Sequence, residues 1–120
     1  MSEEKEVYDI KDRTFLFSKS VIFFIKSAQY HRIYHSLFDQ LLRSATSVGA
    51  NITEGKAGSS KNDFLKFHII ALKSAKETEY WLKLVNETAI IDSQHDLSYL
   101  LQEIDEIIRI LVTIIVRNKN

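Results

Sequence analysis

The chain predicts an all-α fold, an antiparallel up-down-up-down four-helix bundle, on three observations. Helix breakers are scarce, with no proline and only Gly49, Gly55 and Gly58 among 120 residues. Apolar residues recur at three- and four-residue steps through four long segments, the spacing of a helix and not of a strand. A capping-box-like start recurs as Ser36-Leu-Phe-Asp39, Ser60-Lys-Asn-Asp63 and Ser93-Gln-His-Asp96, in which Ser takes first-turn amides and Asp meets the positive helix end. Short connections between helices of similar length make consecutive helices antiparallel neighbours. A chain of this length is one domain and buries about two thirds of its unfolded surface. Residues 1–9 read as a charged leader and residues 10–118 as the bundle.

The first helix is expected from about Asp12 to Gln29. Phe15, Leu16, Phe17, Val21, Ile22, Phe23, Phe24 and Ile25 cover nearly its whole circumference, leaving a strip at Lys19 and Lys26. A helix apolar all round must be covered all round. After a connection from Tyr30 to His35, the second helix begins at Ser36, continues to about Glu54 and stops at Gly55, with Gly58 in the turn. The third runs from the Ser60 start to about Asn86, with a core stripe through Phe64, Phe67, Ile70, Ala71, Ser74, Ala75, Thr78, Trp81, Leu82 and Val85. A second stripe, Leu65, Ile69 and Leu72, lies roughly 120° away. The fourth helix reaches about Arg117, and its Leu, Ile and Val residues, including Ile110, Val112 and Ile114, fill an arc near 200°, where a bundle helix needs about 100°. Three helices thus carry more apolar arc than one bundle hides, which predicts an obligate homo-oligomer with Leu65, Ile69, Leu72, Ile110, Val112 and Ile114 at its interface.

The second helix is unusual. Beside its apolar side (Leu37, Leu41, Ala45, Val48, Ile52) runs a stripe of Gln40, Arg43, Ser44, Ser47, Asn51 and Glu54. Ser, Thr, Gly and Asn are poor interior helix formers. Small residues suit a second backbone coming close, and polar ones suit bonds across to it. The stripe is therefore a packed helix–helix seam with an internal polar layer, or else a ligand or nucleic-acid site. An antiparallel pairing about Ala57 brings Arg43 level with Lys73 and Glu77. If a buried acid pairs with Arg43, Arg43→Ala costs roughly 2–4 kcal/mol.

Charge and composition exclude several functions. Sixteen basic residues balance sixteen acidic ones, so no global field recruits nucleic acid or membrane. Locally, residues 13–55 and 56–83 each carry +3, whereas residues 1–12 and 84–120 each carry −3. Without Cys there is no disulfide, thiolate metal site or Cys nucleophile. The acidic start and the absence of an apolar run of about 18 residues predict a soluble, cytoplasmic protein. A phosphate-binding loop fails at Gly49–Ala57, because five residues separate the glycines, Ala57 follows Lys56, and no strand precedes. No Glu is followed three residues later by His, so the di-iron bundle pattern is absent. His31 and His35 lack a third metal ligand, His68 reads as a hydrogen-bonded semi-core residue, and His95 belongs to a helix start. No cofactor, metal, small-molecule substrate or catalytic residue is expected.

At Gln40-Leu-Leu-Arg43-Ser44-Ala-Thr-Ser47-Val-Gly49-Ala-Asn51-Ile-Thr-Glu54 the chain resembles the four-helix-bundle family named after the 23S rRNA intervening sequence protein. Ser60-Lys-Asn-Asp63-Phe64, Ala71-Leu-Lys73 and Glu77-Thr-Glu79-Tyr80-Trp81-Leu82 are similar to that family's third helix. The resemblance spans about residues 8 to 116. It implies a left-handed bundle assembling into a homopentameric barrel with a central channel, in a bacterial protein of no settled activity. A related branch, the accessory proteins of diversity-generating retroelements, forms basic pentamers that bind a reverse transcriptase and nucleic acid. The present chain departs from that branch in being neutral overall.

The remaining functional feature is a basic surface. Lys66, Lys73, Lys76 and Lys83 share one side of the third helix, with Lys56 and Lys61 near its start. Repeated around an oligomer, they would bind a phosphate backbone through counterion release. The alternative is a solvated face with Lys73 paired to Glu77. The expected function is a non-enzymatic scaffold or adaptor engaging RNA or a ribonucleoprotein. Its alternatives are a protein-interaction module without nucleic-acid affinity, and an enzyme whose pocket gathers Arg43, Asn51, Glu54 and Glu77.

Overall fold

The computed structural model describes residues 9–58, 60–89, 91–92 and 94–119. Among them there are four α-helices and no strand: α1 Ile10–Ser27, α2 His35–Ala57, α3 Lys61–Thr88 and α4 Gln94–Asn118, with a 3-10 turn at Arg32–Tyr34. Each helix packs against two others, α1 on α2 and α4, and α3 on α2 and α4. Cross-helix pairs fix the directions. Ser47 meets Ser74 while Ser44 meets Thr78, so α2 and α3 are antiparallel. Arg13 meets Glu103 and Glu106 on α4. The expected four-helix bundle is present.

The core runs the length of the bundle. Phe17, Val21 and Phe24 from α1 meet Phe38, Leu41, Ala45, Val48 and Ile52 from α2. Ala71, Ala75, Leu82 and Val85 of α3 and Leu97, Leu100, Ile104, Ile107 and Leu111 of α4 complete it. Fully burying one Leu, Ile or Phe contributes about 1.5–3 kcal/mol, so these stripes supply most of the driving force.

The helix starts differ in how they form. Asp9 caps α1, its Oδ1 accepting the Asp12 amide at 3.0 Å, so the helix begins two residues before the expected Asp12 and ends at Ser27. That amide and, more weakly, Lys56 hold the Asp9 carboxyl below the usual range. Ser60 Oγ accepts the Asp63 amide at 3.1 Å, as its motif predicts. Ser36, in contrast, lies inside α2, which has no side-chain cap. The chain enters α2 through the 3-10 turn, where His31 Nδ1 accepts the Ile33 amide at 3.1 Å. Tyr30 then packs on Phe38 with ring centroids 4.3 Å apart. Aromatic packing therefore starts this helix one residue earlier than the Ser signal does. Ser93 lies outside the described residues; Asp96 stands in the first turn of α4.

Gly55 does not stop α2, which continues to Ala57 with Gly58 as its C-cap. Its role is close approach. A Cβ at Gly55 would sit 2.9 Å from His68 Nδ1 and 3.1 Å from Phe67 Cβ, so only glycine lets the end of α2 lie against α3.

Candidate functional site

The polar stripe of α2 divides into a buried half and an open half. Ser44 is buried, and its Oγ accepts from Thr78 Oγ1 at 2.8 Å while its own hydroxyl donates to the Leu41 carbonyl. Ser47 and Ser74 hydroxyls lie 2.9 Å apart, and Asn51 Nδ2 donates to Ser47 Oγ and to its carbonyl. These bonds form an internal polar layer between α2 and α3, with small side chains on both helices.

Gln40, Arg43, Glu54 and Glu77 are exposed. The expected buried partner of Arg43 is absent: among the described residues Arg43 makes no ion pair, and Glu77 Oε2 accepts from Trp81 Nε1 at 3.0 Å. The helical repeat placed Arg43 level with Glu77, and the two do line one shallow recess of about 500 Å³ with Gln40 and Ser74. Solvent reaches that recess, which removes the penalty a stranded charge carries. The set Arg43, Asn51, Glu54 and Glu77 does not converge on one cavity. Asn51 is committed to Ser47, and Glu54 lines a different groove.

The six lysines, Lys56, Lys61, Lys66, Lys73, Lys76 and Lys83, are all exposed. Lys83 lies 3.9 Å from Glu79, and Lys56 lies 4.0 Å from Asp9. Lys66 stands over the ring of Phe67 at 5.3 Å. The expected Lys73–Glu77 pair does not form, because Glu77 serves Trp81 instead. Lys61, Lys66, Lys73 and Lys76 carry no ion pair among the described residues. At about 100° per residue, Lys66 and Lys73 lie on one strip of α3, and Lys76 and Lys83 on the next.

Of the six residues assigned to an oligomer interface, Ile69 and Val112 are exposed, whereas Leu65, Leu72, Ile110 and Ile114 are half-buried. Leu72, Ile110 and Ile114 pack against the core of their own chain. Among the described residues α1 carries a run of exposed large apolar side chains, with Phe15 64% exposed and Phe23 57%, and Leu16 and Ile22 beside them. Phe15 and Ile22 form one wall of a groove of about 710 Å³ between α1 and α2.

One feature had no local signal in the sequence, and one is more deeply placed than its sequence reading. Arg13 clamps α1 to α4, its Nε and Nη2 donating to Glu103 at 2.6 and 3.0 Å and Nη2 to Glu106 at 2.6 Å. Those carboxylates hold the guanidinium protonated beyond its ordinary range. The partners lie 90 and 93 residues away in the chain. His68 makes the expected hydrogen bond but is fully buried where a semi-core position was expected. Its Nδ1 lies 2.8 Å from the Phe64 carbonyl and therefore donates to it, and its ring stacks on Phe64 at 3.9 Å. Its Nε2 has no partner among the described residues. Burial holds its pKa below the ordinary value, with the Lys56 charge a smaller cause.

Among the described residues no group of three or more His, Cys, Asp or Glu is placed to hold a metal ion, and no helix is long and apolar enough to cross a membrane. The molecule is thus a four-helix bundle whose distinguishing features are surfaces: a polar seam, a basic flank and an uncovered aromatic helix. A sequence model of the 23S rRNA-intervening sequence proteins matches residues 6–113, and the chain belongs to that family. Among solved structures it is similar to a protein of unknown function from the S23 ribosomal protein family of Bacteroides thetaiotaomicron. The two are 32% identical with a TM-score of 0.74, over 88% of this chain and 97% of that one. There is no significant match among curated proteins.

Proposed function

We propose that the protein is a non-enzymatic, homo-oligomeric adaptor, a pentamer as the family resemblance implies, that engages RNA or a ribonucleoprotein through α3. The observation that supports RNA engagement is the set of four exposed lysines, Lys61, Lys66, Lys73 and Lys76, without carboxylate partners among the described residues. A lysine already paired has little to gain from a phosphate, whereas an unpaired one releases a counterion on binding. The uncovered aromatic face of α1 supports self-association, since exposed apolar surface of this kind marks a contact.

The test is binding of a labelled single-stranded RNA across a salt series. Four lysines contacting phosphates give a slope of about 3 in log Kd against log salt. Reversing Lys73 and Lys76 to Glu should lower that slope and weaken binding at every RNA sequence alike. No binding at about 50 mM salt, where phosphate contacts are strongest, leaves the protein-interaction module as the function.

A further inference from the structure

We infer that the RNA taken up along α3 is single-stranded, and that Tyr80 is the platform on which one of its unpaired bases stacks. This inference deepens the RNA reading above and rests on it. Tyr80 is 59% exposed. At about 100° per residue it falls between the two lysine strips, Lys66 and Lys73 on one side, Lys76 and Lys83 on the other. Tyr80 and Lys73 lie within about 10° of the line opposite the buried residues Ala71, Ala75, Thr78 and Leu82, so they stand on the outermost ridge of the helix. At 1.5 Å per residue the tract from Lys66 to Lys83 is about 26 Å long. The ring is braced. Trp81 meets it edge to face, with centroids 5.1 Å apart and planes at 75°, and Trp81 is itself held by its Nε1 donating to Glu77 at 3.0 Å. One such contact leaves the other face of the Tyr80 ring open. A ring already fixed gives up less freedom when a base lands on it.

Charge and shape together choose the form of RNA. Of the carboxylates on α3 near the ring, Glu77 is engaged by Trp81 and Glu79 lies 3.9 Å from Lys83. Glu87 is exposed about two turns beyond Tyr80, and the basic tract ends there. Lys66, Lys73 and Lys76 carry no ion pair among the described residues. Phosphates and a base therefore have separate seats, cations on the flanks and an aromatic ring between them. In a duplex each base is paired and stacked on its neighbours, and the A-form major groove is too deep and narrow for a side chain to read. A strand with unpaired bases can turn one onto the ring while its phosphates keep to the lysines. Lysines alone would favour the duplex, whose charge density is higher. Preference between the two forms thus separates a stacking platform from a merely basic face.

The test compares a labelled, unstructured single-stranded RNA of about twelve nucleotides with an RNA duplex of the same length, at matched salt. Wild-type chain should bind the single strand about tenfold more tightly. Tyr80→Ala should weaken single-strand binding by about tenfold, the size of one lost stack, and leave duplex binding unchanged. Its salt slope should equal that of wild type, because stacking releases no counterion. Tyr80→Phe should restore wild-type affinity. Tyr80 is outside the core, so both variants should keep the wild-type circular dichroism. The chain has a single Trp, which gives a signal without mutation: emission from Trp81, beside the platform, should change on titration with the single strand and not with the duplex. Equal or tighter binding of the duplex, or full single-strand affinity in Tyr80→Ala, overturns this inference and leaves the lysine contacts standing. Failure to bind either form at about 50 mM salt instead removes the RNA reading itself.

Discussion

The α2–α3 seam and the outer face of α1 use side-chain size in opposite ways. In the seam, Ser44, Ser47, Ser74 and Thr78 are small, and every hydroxyl finds a partner on the same or the facing helix. On α1, Phe15, Leu16, Ile22 and Phe23 are large and open to solvent. The seam is finished within one chain, because small polar residues bring two backbones close enough to satisfy each other. The α1 face is unfinished, because among the described residues no element of its own chain covers it. Stability is therefore expected to live in the first region and assembly in the second.

The largest effect should come from breaking the open region. Phe15→Glu with Phe23→Glu should reduce the sedimenting mass severalfold to that of the 13.9 kDa chain while leaving the helical circular dichroism unchanged. An unchanged mass removes α1 from the contact. In the closed region, Leu41→Ala, at a side chain with no exposure, should cost about 2–5 kcal/mol by chemical denaturation. Thr78→Val keeps the shape and removes the donor to Ser44 and to the Ser74 carbonyl, for a loss near 1 kcal/mol. Arg43→Ala, in the exposed margin of the same seam, should stay within about 0.5 kcal/mol of wild type. A loss of several kcal/mol there would place a buried partner on Arg43 after all.

His68 sharpens the comparison through pH. Its folded pKa lies below the ordinary 6.5, so between those values the unfolded chain binds a proton that the folded chain refuses. Stability is thus fully present above about 6.5 and declines as pH falls through that window. His68→Phe should flatten the melting temperature between pH 7 and 5, and an unchanged slope would assign the acid sensitivity to another group.

The four helices were legible because their periodicity is long and breakers are few. Boundaries were less so where packing overrides local signals. Gly55 reads as a stop, yet it is a point of close approach to His68, a contact made 13 residues further along the chain. Ser36 reads as a cap, yet the aromatic packing of Tyr30 on Phe38 has already started the helix. The polar layer could be anticipated from small residues on two antiparallel helices, although which members are buried could not. The 100° repeat fixes direction but not depth, so Arg43 and Ser44, adjacent in sequence, part company in the fold. Arg13 and its carboxylates had no signal at all, since nothing local links residues so far apart. The excess apolar arc was visible on α1, but its location at the α1–α2 groove needed the structure.

Sedimentation equilibrium of the wild-type chain at micromolar concentration tests the central claim most directly. The uncovered face of α1 predicts a single species at an integral multiple of 13.9 kDa, five for the barrel that the family resemblance implies. A stable, well-folded species at 13.9 kDa would contradict it.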